Sequence, residues 1–168
     1  MRWYLIFALF LTTTFATAAP SDSISVYIFL REDCVICQQY TQQLERLYGE
    51  FGNKSIHFLG VFPNASSKAE ALEDFAAKYQ ITFPLAIDHE QTLTRNMGAT
   101  ITPQVVIYDH RLKQILYTGR IDDRYARVGK RRRNAQTSEL EAALTAIQAR
   151  QAIAVRETEA IGCLITLH

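Results

Sequence analysis

Apolar positions follow two rhythms along this chain. From Ser23 to Leu30 they are dense and β-branched or aromatic (Ile24, Val26, Tyr27, Ile28, Phe29), the composition of a buried strand. The spacing then changes. Tyr40, Leu44, Leu47, Tyr48 and Phe51 recur at helical intervals, which predicts a helix from about Cys34 to Glu50, closed by Gly52-Asn53. Ile56 to Phe62 predicts a second strand, and Pro63 to Ser67 a loop that also offers a helix cap. Leu72, Phe75, Ala76 and Tyr79 form the apolar face of the next helix. Phe83 to Ile87 predicts a short strand and Glu90 to Met97 a short helix ended by Gly98. After Thr102-Pro103, the runs Val105 to Tyr108 and Gln114 to Tyr117 predict a hairpin turning at Asp109-His110-Arg111. Gly119 to Asn134 is polar and basic, and Ser138 opens a last helix carrying Leu140, Leu144 and Ile147. Residues 151–168 show no clear period and read as a tail. Strands alternating with helices predict an α/β domain, with a central mixed sheet covered by helices on both faces.

The first residues differ from the rest. Arg2 precedes an apolar run from Trp3 to Leu11, then small, weakly polar residues, and Ala16-Thr17-Ala18 fits a secretory cleavage site. Pro20 disfavours cleavage after Ala19, so the predicted signal peptide is 1–18, followed by a domain at 19–150 and a tail at 151–168. An uncleaved membrane anchor is the alternative, but the run is short of the roughly 20 residues that a span needs. The pattern predicts an exported, periplasmic or extracytoplasmic protein. A net charge of +1 gives no sign of a nucleic-acid partner.

Export changes the reading of the cysteines, because disulfides persist outside the cytosol. Three are present, Cys34, Cys37 and Cys163, so at least one stands outside a permanent intramolecular pair. Cys34 and Cys37 lie where the first strand gives way to the first helix. At a helix N-terminus, free N–H groups and the helix dipole favour a thiolate, the form that attacks disulfides. Cys34 is therefore assigned as an exposed nucleophile at the helix tip. Cys37, one turn on and more buried, resolves the mixed disulfide. Alternatives are a structural bridge or half of a metal site, although no second ligand pair at zinc spacing exists. Val35-Ile36 bring no positive charge, and Glu32 and Asp33 oppose a thiolate with only Arg31 against them. This predicts a modestly lowered Cys34 pKa and a reducing pair rather than a strong oxidant.

The strand–CxxC–helix unit, the later Thr102-Pro103 before a hairpin, and the final helix resemble the thioredoxin superfamily. The added helix and strand at residues 66–88 resemble the βα insertion of its exported redoxin and TlpA-like branch. Gly98-Ala99-Thr100-Ile101-Thr102-Pro103-Gln104, the later Gly119 to Tyr125, and Ile161-Gly162-Cys163 are similar to segments of that branch. The resemblance implies a thioredoxin-like fold and thiol–disulfide exchange with exported proteins, recharged by an upstream thiol reductant and needing no cofactor. It also implies that Pro103 is cis, lies against the cysteine pair, and turns the Thr102 backbone toward an extended substrate segment, as in strand addition. Departures are clear. Asp33 replaces the usual tryptophan, Val35-Ile36 replace Gly-Pro, and Ile28 stands where thioredoxin has a buried acid. Tyr27 and Arg31 occupy the proline and threonine positions of the peroxiredoxin motif, which argues against efficient peroxide reduction.

Cys163 has three readings: a spare thiol, a partner for another chain, or a third redox thiol reaching back to Cys34. The run Lys130-Arg131-Arg132-Arg133 reads as a solvated loop, with an acidic partner or anionic lipid as the alternative. Soft-metal binding, copper above all, is the competing function for the same thiolates.

Overall fold

The computed structural model describes residues 23–168. The predicted signal peptide lies outside these residues. Five strands form the central sheet. They are β1 (Ile24–Phe29), β2 (Ile56–Phe62), β3 (Leu85–Ile87), β5 (Gln104–Asp109) and β6 (Gln114–Gly119), with β4 (Ile101–Thr102) just before β5. The order across the sheet is β3-β2-β1-β5-β6. β1 and β2 run parallel, as do β2 and β3, while β5 is antiparallel to both β1 and β6. The sheet is mixed, as predicted, and the fold is thioredoxin-like.

Period-two alternation sends neighbouring side chains to opposite faces. Val26 and Ile28 of β1, with Val105 and Ile107 of β5, join the larger core. That core takes in Leu44 and Leu47 of α1 (Val35–Phe51), Leu72 and Phe75 of α2 (Ala69–Tyr79), and Leu140 and Leu144 of α4 (Glu139–Gln148). Phe29 and Val106 point the other way. There they meet Leu93 and Met97 of α3 (Thr92–Met97) together with Ile165 from the tail.

Two parts of the chain carry more structure than their sequence predicts. The polar, basic segment contains a small hairpin of β7 (Tyr125–Arg127) and β8 (Lys130–Arg131). Asp123 holds it from below, accepting from Arg132 and from the backbone N–H groups of Gln136 and Thr137. The C-terminal segment lies along the domain. Thr118 donates to the Arg156 carbonyl and accepts from the Thr158 N–H at 2.9 and 3.0 Å. Beyond that, β9 (Cys163–Leu164) pairs antiparallel with β4. Among the described residues no helix is long and apolar enough to cross a membrane.

Candidate active site

Cys34 is the N-cap residue of α1. Its backbone is extended (φ −81°, ψ 110°), and its carbonyl accepts the first helical bond from Gln38 N–H at 3.0 Å. The loop before it is tied down because the Gln38 side chain donates to the Glu32 carbonyl at 2.8 Å. Four donors converge on the Cys34 sulfur, and the Cys37 thiol has the largest influence among them. The others are the helix-terminal N–H groups of Cys37 and Ile36 and the Cys163 thiol. Against the opposing effect of burial, they hold the Cys34 pKa down to about 5. Cys37 is fully buried, and that burial, together with its bond to Cys34 and the charge there, pushes its pKa well up. The Thr102 hydroxyl and the Arg31 backbone favour its charged form. No buried carboxylate takes that role at Ile28, which is itself a core residue.

Two expectations need correction here. The lowering of the Cys34 pKa is large rather than modest. The sequence counted Asp33 against the thiolate. In the fold, Arg31 grips both Asp33 oxygens, at 2.5 and 2.8 Å, and so spends that carboxylate's charge locally. A thiolate held this firmly stabilises the reduced pair, which moves the couple toward oxidising character. The expectation of a reducing pair therefore loses its basis. Secondly, Cys34 is not exposed. Only 1% of it is accessible, because the tail covers it.

The Thr102–Pro103 peptide bond is cis, and its carbonyl, on Thr102, lies 3.5 Å from the Cys34 sulfur. Gln104 shapes the approach to it, a role its sequence position did not reveal. Its side-chain oxygen accepts from the N–H groups of Thr100 and Ile101 at 2.9 and 3.2 Å. Cys163 stands directly opposite Thr102 in the β4–β9 pair, with its thiol 3.2 Å from the Cys34 sulfur. Burial, followed by the bond to Cys34 and its charge, pushes the Cys163 pKa up to about 11. All three thiols are free. The fold thus brings together Cys34, Cys37, Thr102, Pro103 and Cys163.

Below the first turns of α1 lies a polar group assembled from residues distant in sequence. Tyr40 donates to Asp122 at 2.5 Å, and Arg124 binds the other Asp122 oxygen at 2.7 Å and covers the Tyr40 ring. The Tyr125 ring packs at a tilt against that of Tyr40, and its hydroxyl donates to the Gln39 side chain. Pairing of this kind lets two buried charges persist. In sequence, Tyr40 shows as one position of the helical face of α1, and Asp122, Arg124 and Tyr125 only as part of a polar stretch. Among the described residues, no group of three or more His, Cys, Asp and Glu is arranged to hold a metal ion. The basic run divides, since Arg132 pairs with Asp123 while Lys130 and Arg131 are exposed on β8.

A titration of thiolate ultraviolet absorbance tests this electrostatic picture. One thiol should ionise with a midpoint near pH 5, and Cys34→Ser should remove that step. Because the thiolate is the reactive form, alkylation at Cys34 should be flat above that midpoint and fall as the pH drops through it. A first ionisation near the ordinary cysteine value of about 8.5 would contradict it.

The family model described as AhpC/TSA family matches residues 12–115. No curated protein matches the chain. A hypothetical protein from Sinorhizobium meliloti is similar in structure, with a TM-score of 0.75 and 23% identity, over 88% of this chain and 82% of that one. An uncharacterised conserved protein from Geobacillus kaustophilus gives 0.73 and 23%, over 88% and 78%. A secreted disulfide oxidoreductase from Mycobacterium tuberculosis gives 0.54 and 17%, over 74% and 82%.

Proposed function

Given that the chain belongs to the AhpC/TSA family, we propose that it is a thiol–disulfide oxidoreductase acting through Cys34 and Cys37 on disulfides of exported proteins. The observation that carries this reading is the Cys34 sulfur at the tip of α1. It is held as a thiolate by the Cys37 thiol and helix N–H groups, beside the strand edge at Thr102. Redox function at large agrees with the family and with a similar fold in a secreted disulfide oxidoreductase.

The chemistry runs in two exchanges. The Cys34 thiolate attacks one sulfur of a substrate disulfide, forming a mixed disulfide and expelling the first substrate thiolate. Cys37, deprotonated, then attacks the Cys34 sulfur. The Cys34–Cys37 bond forms as the mixed disulfide breaks, and the second substrate thiolate leaves. In this direction two electrons pass from the protein dithiol to the substrate, and an upstream thiol reductant restores the dithiol. Run in reverse, the Cys34–Cys37 disulfide takes two electrons from a substrate dithiol, the direction that a stabilised Cys34 thiolate favours. Thr102 offers backbone partners to an extended substrate segment, with Pro103 fixing its direction. Val35, 60% exposed next to the nucleophile, gives that segment an apolar surface to lie on.

Export through the predicted 1–18 signal peptide belongs to the same proposal. Peroxide reduction fits less well, because Arg31 stands at the threonine position and is committed to Asp33. The soft-metal reading draws no support from a group of three or more His, Cys, Asp and Glu among the described residues.

Insulin reduction by dithiothreitol tests the function. The chain should accelerate precipitation of the insulin B chain in proportion to its concentration. A rate equal to that of dithiothreitol alone would overturn the proposal.

A further inference from the structure

Extended substrates of a thioredoxin-like site would add a strand at Thr102 and present a sulfur to the nucleophile. In this chain that place is taken. β9 pairs antiparallel with β4, setting Cys163 opposite Thr102 and Leu164 opposite Ile101. The pairing continues where Ile165 N–H donates to the Thr100 carbonyl at 2.9 Å. The Cys163 sulfur is 3.2 Å from that of Cys34, beyond an S–S bond of about 2.05 Å but within reach of exchange.

The strand is anchored on both sides. Upstream, Thr158 bonds the Tyr117 hydroxyl and the Arg120 N–H at 2.8 and 3.1 Å. Downstream, the Gln91 side chain donates to the Thr166 carbonyl at 2.9 Å. Between the anchors, Gly162 passes so close that a Cβ there would lie 2.0 Å from the Thr102 carbonyl oxygen. Backbone cannot yield to such a contact without moving the strand.

We propose that residues 161–165 form a resident pseudo-substrate: β9 fills the strand-addition edge, and Cys163 exchanges into a disulfide with Cys34. This rests on the reading of Cys34 as the nucleophile. Starting from the Cys34–Cys37 disulfide, the Cys163 thiolate attacks the Cys34 sulfur. The Cys34–Cys163 bond forms as the Cys34–Cys37 bond breaks. The electron pair leaves on Cys37, which takes up the proton that Cys163 gave. No external oxidant or reductant is needed for this step. Cys163 is also easier to ionise at that stage, because the Cys34 charge that holds up its pKa is gone while Arg31 still favours the thiolate. Incoming protein substrates must displace β9, so the tail restricts access to Cys34.

The test uses the full chain with Cys37→Ser, equilibrated with oxidised glutathione, acid-quenched and peptide-mapped without reduction. Glutathione disulfide first caps Cys34 and releases one glutathione. Cys163 then attacks Cys34 and releases the second. The expected product is a monomer bearing an internal Cys34–Cys163 bond and no glutathione. Adding Gly162→Val or Cys163→Ser should convert it to a Cys34–glutathione adduct. With Cys37 intact, Gly162→Val should raise the insulin-reduction rate several-fold. A stable glutathione adduct on Cys34 in Cys37→Ser itself overturns the inference while leaving the functional reading in place. A Cys34 that stays a free thiol throughout overturns both.

Discussion

Replacing Cys34 by serine should lower insulin-reduction turnover by about 10³-fold or more, to the dithiothreitol background. A serine hydroxyl is un-ionised at neutral pH and forms no S–S bond, so the first exchange has no nucleophile. The N–H groups of Ile36 and Cys37 remain at the tip of α1, since they belong to the helix. The substituted site therefore keeps its shape, and the fold should keep its melting temperature to within a few degrees. Turnover by Cys34→Ser close to wild type would remove Cys34 from the mechanism. A large fall in melting temperature would instead assign it a structural role.

The second large effect is expected when both other thiols are removed. With Cys37→Ser and Cys163→Ser together, Cys34 still attacks, but nothing within the chain can release the product. Substrate should remain on Cys34 as a mixed disulfide, one per chain, resolved only by added dithiol. Catalysed turnover should fall by about 10³-fold. Mass spectrometry of the unreduced protein after mixing with insulin reads the adduct directly. A chain that turns over normally with Cys34 as its single thiol would show that release does not depend on Cys37 or Cys163. Removing both matters, because Cys163 lies 3.2 Å from the same sulfur and could stand in for Cys37.

Local features were the legible ones. Tyr40, Leu44, Leu47 and Phe51 announce α1 because one helical face repeats every three or four residues, and all four are buried as that spacing requires. β2 has the bounds its apolar run predicts, Ile56–Phe62. The Cys34/Cys37 pair could be read because both residues belong to one helix turn. What escaped depends on contacts distant in sequence. β4 and β9 are two residues each, too short to leave a period, and pair across some sixty positions. The burial of Cys34 follows from that pairing, so a tail without rhythm hid the main fact about access to the site.

Charge reading failed for a similar reason. Glu32 and Asp33 sit next to Cys34 in sequence, yet Arg31 holds Asp33 and four donors meet at the sulfur. A list of neighbours gives signs without directions. The β7–β8 hairpin was missed because its ties to Asp123 come from residues nine to fourteen positions on, not from an apolar pattern.

In the proposed function, Cys34 and Cys37 form a reversible two-electron couple biased toward its reduced state by the thiolate at 34. Its most direct test is the reduction potential of the Cys163→Ser chain, where one intramolecular disulfide is available, titrated in glutathione buffers and read by peptide mapping. The expected result is a single two-electron transition between about −270 mV, the thioredoxin value, and about −120 mV, that of the strongest disulfide-forming enzymes. A Cys34–Cys37 bond that never forms, or a potential at or below that of thioredoxin, would contradict it.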